Sequence, residues 1–138
     1  MSGTWETIRG VMGGTASGVT VAWRSNGPDQ NVGLVVSIRG DLLERIGATR
    51  GKRAQRVVVQ RNRSTHRLRI SLAAPGTAWC STRGLKWKEG RGLIQVPLPD
   101  IELAERKPAQ DTLYVVSEKH IEVKLPPWAA TGFVKVAA

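Results

Sequence analysis

Apolar and polar positions alternate along this chain with two periods, and the changes of period mark its elements. Val19, Val21 and Trp23 share one face of an extended run over Val19–Arg24, which predicts a strand. Ser25 to Asp29, with Asn26-Gly27-Pro28 inside it, reads as a turn. Leu34–Ile38 is a continuous apolar, β-branched run and predicts a second strand. Leu42, Leu43 and Ile46 then lie on one side of a short helix. Asp41 is positioned to cap that helix, with Glu44 as its capping-box partner, and Gly47 to end it in the left-handed conformation. After a turn through Gly51 the period returns to two: a strand at Val57–Val59, a polar turn from Asn62 to Thr65, and a strand in which Leu68, Ile70 and Leu72 alternate with Arg67, Arg69 and Ser71.

After Pro75-Gly76 the plan starts again. Ala78-Trp79-Cys80-Ser81 echoes Ala22-Trp23-Arg24-Ser25, and a loop holding Lys86-Trp87-Lys88 follows. Gly92-Leu93-Ile94 echoes Gly33-Leu34-Val35, Asp100 takes the capping place of Asp41, and Ile101 to Arg106 makes a second short helix. Thr112–Ser117 stands where the Val57 strand stood, and Ile121, Val123 and Leu125 alternate with Glu122 and Lys124. Chance would have to reproduce element order as well as patterning, so we read an internal repeat. The expected organisation is an N-terminal arm at 1–18, a first ββαββ unit at 19–74, a second at 75–126 and a tail at 127–138. A unit of about 40 residues cannot close a core alone, so the two are expected to fold as one body.

Charge divides the two units. The chain of 138 residues carries a formal net charge of +10. Residues 39–72 hold ten bases against Asp41 and Glu44, and nine of the ten are arginine. Residues 93–126 hold four bases against six acids. Arginine suits bidentate contact with phosphate and guanine, so an uneven basic surface of this kind points to a polyanion partner.

The first unit resembles the AbrB/MazE-like swapped-hairpin family of DNA-binding proteins. The resemblance is carried by Val36-Ser37-Ile38, Asp41-Leu42-Leu43, Ile46-Gly47, Gly51-Lys52, Val57-Val58-Val59 and Leu68-Arg69-Ile70. This chain departs from the family pattern at Lys52, where an acid is usual, and at Arg39-Gly40, where a proline is common. The resemblance implies a mainly β fold: a small swapped-hairpin or cradle-loop barrel, here closed by two ββαββ units of a single chain with two short helices. It also implies duplex DNA gripped by basic residues on one barrel face, with Arg39, Arg50, Lys52 and Arg53 as contacts.

Other candidates for the nucleic-acid-binding surface come from the residues themselves. Arg67 and Arg69 share the strand face opposite Leu68 and Ile70; Arg61 and Arg63 flank the hairpin turn; Arg56 adds to the loop cluster, and Arg24 stands across the turn from the first strand. Trp87 lies between Lys86 and Lys88, where an aromatic among bases can stack on an exposed base or close as a lid on the core. Trp23 and Trp79 occupy matching repeat positions and are read as structural. Cys80, the lone cysteine, is expected to be a buried thiol, and His66 and His120 to be turn residues.

No Gly-rich phosphate loop, HExxH or GxSxG is present, and no His/Cys set has metal-ligand spacing, so neither enzyme, cofactor nor metal is expected. No apolar run has membrane-spanning length and the opening residues carry no leader pattern; with one cysteine, a cytoplasmic protein is expected. The expectation is a DNA-binding regulator or architectural factor, monomer or homodimer. Two rival readings stand beside it. One is a modulator that docks an acidic protein partner; the other is a binder of single-stranded DNA or RNA, favoured if Trp87 and Trp5 prove exposed.

Overall fold

The computed structural model describes residues 18–24, 33–98 and 107–129. The expected arm before Gly18, the turn at Ser25–Asp29, the second helix at Ile101–Arg106 with its Asp100 cap, and the tail after Ala129 lie outside the described residues. In order, the chain forms β1 (Val19–Arg24), β2 (Gly33–Arg39), α1 (Gly40–Arg45), β3 (Arg56–Asn62) and β4 (Arg67–Leu72). It continues with β5 (Arg83–Gly84), β6 (Lys86–Lys88), β7 (Arg91–Val96), β8 (Lys107–Asp111), β9 (Tyr114–Val116) and β10 (His120–Lys124). Single 3-10 turns occupy Trp79–Ser81 and Pro127–Ala129. Among the described residues no helix is long and apolar enough to cross a membrane.

The strands make two antiparallel sheets of five, ordered β6-β7-β2-β1-β8 and β5-β3-β4-β10-β9. Each is centred on a pair drawn from the two halves of the chain. In the first sheet Val36 stands opposite Ile94 and Leu34 opposite Val96. In the second, Ile70 stands opposite Ile121 and Leu68 opposite Val123. The alternate residues of these strands point inward and meet in one apolar cluster that also takes Val19, Val21, Trp23, Leu43 and Val57. Burial of each such side chain is worth about 1.5–3 kcal/mol, so the cluster joins both sheets into one folding unit.

Two segments pass from one sheet to the other. Arg83 and Gly84 pair with β3, Leu85 donates its N–H to the Gln55 carbonyl, and Lys86–Lys88 then pair with β7. Likewise Lys107–Asp111 lie beside β1 whereas Tyr114–Val116 lie beside β10. Between them Thr112 N–H donates to the Val19 carbonyl and its hydroxyl to the Lys124 carbonyl.

Helix α1 differs from expectation at its start and agrees with it at its end. It begins at Gly40, one residue before the expected cap, and the cap position is Arg39, which makes no side-chain capping bond. Asp41 instead lies in the first turn, its carboxylate bound by the Arg39 guanidinium at 2.6 Å. That hydrogen bond holds the Asp41 carboxyl below its ordinary value. At the other end Gly47 has φ +105°, and the Gly47 and Ala48 N–H groups donate to Glu44 and Leu43, a Schellman closure.

Candidate functional site

The loop from Thr49 to Gln55 turns back on itself because one side chain ties it. Gln55 Oε1 accepts the Thr49 N–H at 2.8 Å, and Gln55 Nε2 donates to the carbonyls of Thr49 and Lys52 at 2.7 and 2.9 Å. Gly51 and Ala54 supply the left-handed positions, with φ of 75° and 64°. The tied loop presents Lys52 and Arg53 outward beside the sheet-switching segment 83–88. Between loop and segment lies an open groove of about 610 Å³, lined by Lys52, Arg53, Arg56, Arg83 and Lys86 together with Trp79 and Trp87. Among the described residues, no acid, histidine or cysteine lines it.

Trp79 departs most from expectation. The repeat pairs it with Trp23, which is buried in the core and meets Trp128 edge to face at a centroid distance of 6.2 Å. Trp79 is 73 % exposed and stands in a 3-10 turn rather than a strand. Its ring carries the Arg56 guanidinium 3.4 Å from the centroid. Arg56 is itself held: Nε donates to Thr82 Oγ1 at 2.8 Å and Nη2 to the Thr82 carbonyl at 3.0 Å. The Thr82 hydroxyl in turn donates to the Trp79 carbonyl at 2.8 Å. Cys80, in the same turn, is exposed rather than buried. The cause is shared: two residues of one turn, lacking apolar alternation before them, have no strand face to bury.

Trp87 is half-buried against the core cluster and lies in strand β6, not in a loop. Lys86 and Lys88 flank it on the exposed side of that strand. Arg83, which also lines the groove, donates through Nε to the Gln95 carbonyl at 2.9 Å.

The remaining expected residues lie elsewhere, several beside acids. Arg50 meets Glu44 at 3.2 Å, as Arg39 meets Asp41. Arg67 and Arg69 project from β4 as alternation predicts, but Glu122 of β10 lies between them, at 3.6 and 2.9 Å. His120 Nε2 reaches the same carboxylate at 3.6 Å. The Arg69 hydrogen bond, reinforced by the neighbouring charges, lowers the Glu122 carboxyl below its ordinary value against the opposing effect of burial. A smaller hollow of about 200 Å³ lies along this stripe and takes in Arg61. Arg63 is exposed in the β3–β4 turn, where Asn62 Oδ1 accepts the N–H groups of Ser64 and Thr65. Arg24 is exposed at the end of β1.

The expected residues are therefore not one surface. Lys52, Arg53, Arg56, Lys86 and Trp87 come together in the groove, and Trp79, Arg83 and Gln55 join them although no local pattern singles them out. Among the described residues, no group of histidine, cysteine and acid side chains is arranged to hold a metal ion. Comparisons with protein-family models, with curated proteins and with solved structures gave no significant match.

Proposed function

We propose that the protein binds nucleic acid, with the groove between loop 49–55 and segment 83–88 as its principal contact surface. The observation that carries this reading is five cations and two tryptophans around one groove, with no acid among its described lining residues. Lys52, Arg53 and Lys86 supply phosphate neutralisation, and the tryptophans supply flat apolar surface for bases or sugars.

The central pairs β2–β7 and β4–β10 join strands that the internal comparison puts in equivalent positions, as a pseudo-twofold axis between two ββαββ units would require. The two segments that pass from one sheet to the other support this reading. On this reading the chain is a tandem relative of the swapped-hairpin DNA-binding proteins, and a regulatory or architectural role follows. Of the contacts that the resemblance implies, Lys52 and Arg53 are retained, while Arg39 and Arg50 must first leave Asp41 and Glu44.

Fluorescence anisotropy of labelled random duplex and labelled single strand, titrated across a salt series, tests the proposal. A fall of log K with log salt is expected, each neutralised phosphate adding about −0.9 to the slope for duplex and about −0.7 for single strands. Absence of binding to both at low salt sinks it.

A further inference from the structure

Resting on that reading, we infer that the groove is built for unpaired nucleotides, with Trp79 as the platform on which an exposed base stacks. A tryptophan 73 % exposed presents a large apolar face to water, and among the described residues only Leu113, at 44 %, is another large hydrophobic left exposed. Trp79 is also held in place. Its carbonyl is tied to Thr82, Thr82 fixes Arg56 through two hydrogen bonds, and the Arg56 guanidinium covers one face of the indole. With one face covered and the residue still so exposed, the other face is open. A guanidinium behind the ring leaves the free face ready to receive a third flat group without any reordering of the side chain.

The surroundings select what that group is. Two hollows, of about 610 and 390 Å³, meet at the Arg56–Trp79 stack, so a chain can run past it on both sides. Lys52 borders both hollows, with Arg53 and Lys86 on the larger. The ligand is thus a planar ring carrying a nearby anion, repeated along a strand. Bases within a duplex have both faces covered by their neighbours, whereas single strands offer bare faces to an aromatic platform. Arg56 acts here as a positioning residue, its guanidinium engaged with Thr82 and Trp79 and turned away from phosphate duty.

The test compares short labelled oligothymidylate, oligouridylate and a hairpin duplex of similar length, by anisotropy, for the full chain and three variants. Wild-type protein should bind single strands more tightly than the duplex, whether the strand is DNA or RNA. Trp79→Ala should weaken single-strand binding by roughly tenfold to a hundredfold, as expected for the loss of one base stack, while changing duplex binding less than about threefold. Trp79→Phe should keep most of the affinity. Arg56→Lys keeps the charge but loses the planar two-bond hold on Thr82; it should weaken single-strand binding several-fold with an unchanged salt slope. A duplex preference in the wild type, or equal effects of Trp79→Ala on both forms, overturns the inference and leaves the groove as a phosphate-binding surface. Failure to bind any of the three at low salt removes the nucleic-acid reading itself, and an exposed Trp79 would then be an anchor for a protein partner.

Discussion

The groove and the β4 stripe are both rich in basic residues, yet they are electrostatically unlike. Lys52, Arg53 and Lys86 make no ion pair with an acid among the described residues. Arg67 and Arg69 share Glu122, because β4 pairs with β10 in a register that puts Glu122 directly opposite Arg69. The second half of the chain, near-neutral in sequence, thus masks part of the first half's charge. In a β protein the free charge of a surface is decided by cross-strand neighbours, which a count along the chain does not reveal. A phosphate arriving at the stripe must displace a carboxylate; at the groove, no acid among the described residues stands in its way.

Charge removal from each surface in turn should separate the two most strongly. Lys52→Ala/Arg53→Ala/Lys86→Ala should flatten the slope of log K against log salt for duplex by up to about three units, near one for each phosphate left without its cation. At moderate salt that amounts to a fall in affinity of about a hundredfold. Arg67→Ala/Arg69→Ala should change the slope by less than about one unit. Equal slopes for the two variants would mean that the groove and the stripe are one surface.

A second, smaller effect separates the surfaces mechanically. A Cβ at Gly92 would overlap Leu43 Cδ1 and come within 2.7 Å of Leu85 Cδ1. Both leucines are buried, and Leu85 is where segment 83–88 leaves one sheet for the other, so neither swings aside freely. Gly92→Ala should cost about 1–3 kcal/mol in urea denaturation, as overpacking does. It should also weaken binding at the groove by displacing Lys86 and Trp87, while Arg67 and Arg69 keep their pairing with Glu122. Unchanged stability would show that β7 has room to give, and that the groove wall is less rigid than its packing implies.

Period alone makes much of this architecture legible. Strands β1, β4 and β10 are readable from alternation, β2 and β3 from continuous apolar runs, and the closure of α1 from the glycine that follows its apolar stripe. Strand β8 is not. Lys107–Asp111 is polar and contains Pro108, and it stands at the edge of its sheet, where proline is tolerated and burial imposes no alternation. The site is half legible. Local charge singles out Lys52, Arg53, Lys86 and Trp87. Trp79 is misread because Ala-Trp matches Ala-Trp, although Val19 and Val21 precede Trp23 in alternation whereas Gly76 and Thr77 precede Trp79. Arg83 and Gln55 depend on the sheet switch and on a loop folded back on itself, and no spacing in the chain announces either.

The finest distinction rests on one carboxylate. Glu122→Gln removes the charge that Arg67, Arg69 and His120 share and leaves their geometry nearly unchanged. The folded protein holds the Glu122 carboxyl below its ordinary value of 4.5, chiefly through the Arg69 hydrogen bond. Its ionised form is therefore favoured in the fold over the unfolded chain. The stabilisation is complete above that ordinary value and is lost as pH falls through the lowered one. For a partly exposed pair it amounts to about 0.5–1 kcal/mol. Wild-type protein should exceed Glu122→Gln in stability by about that much at neutral pH. The gap should close on acidification below pH 4.5, a trend that denaturant titrations at several pH values would follow. Nucleic-acid binding should move the other way: with the stripe unmasked, affinity at low salt should rise a few-fold for duplex and single strand alike, because phosphate contact on β4 is indifferent to base pairing. A rise that vanished in the groove triple variant would mean that Glu122 acts on the groove from a distance. A rise that persisted there would show that the carboxylate alone keeps the second basic surface out of use.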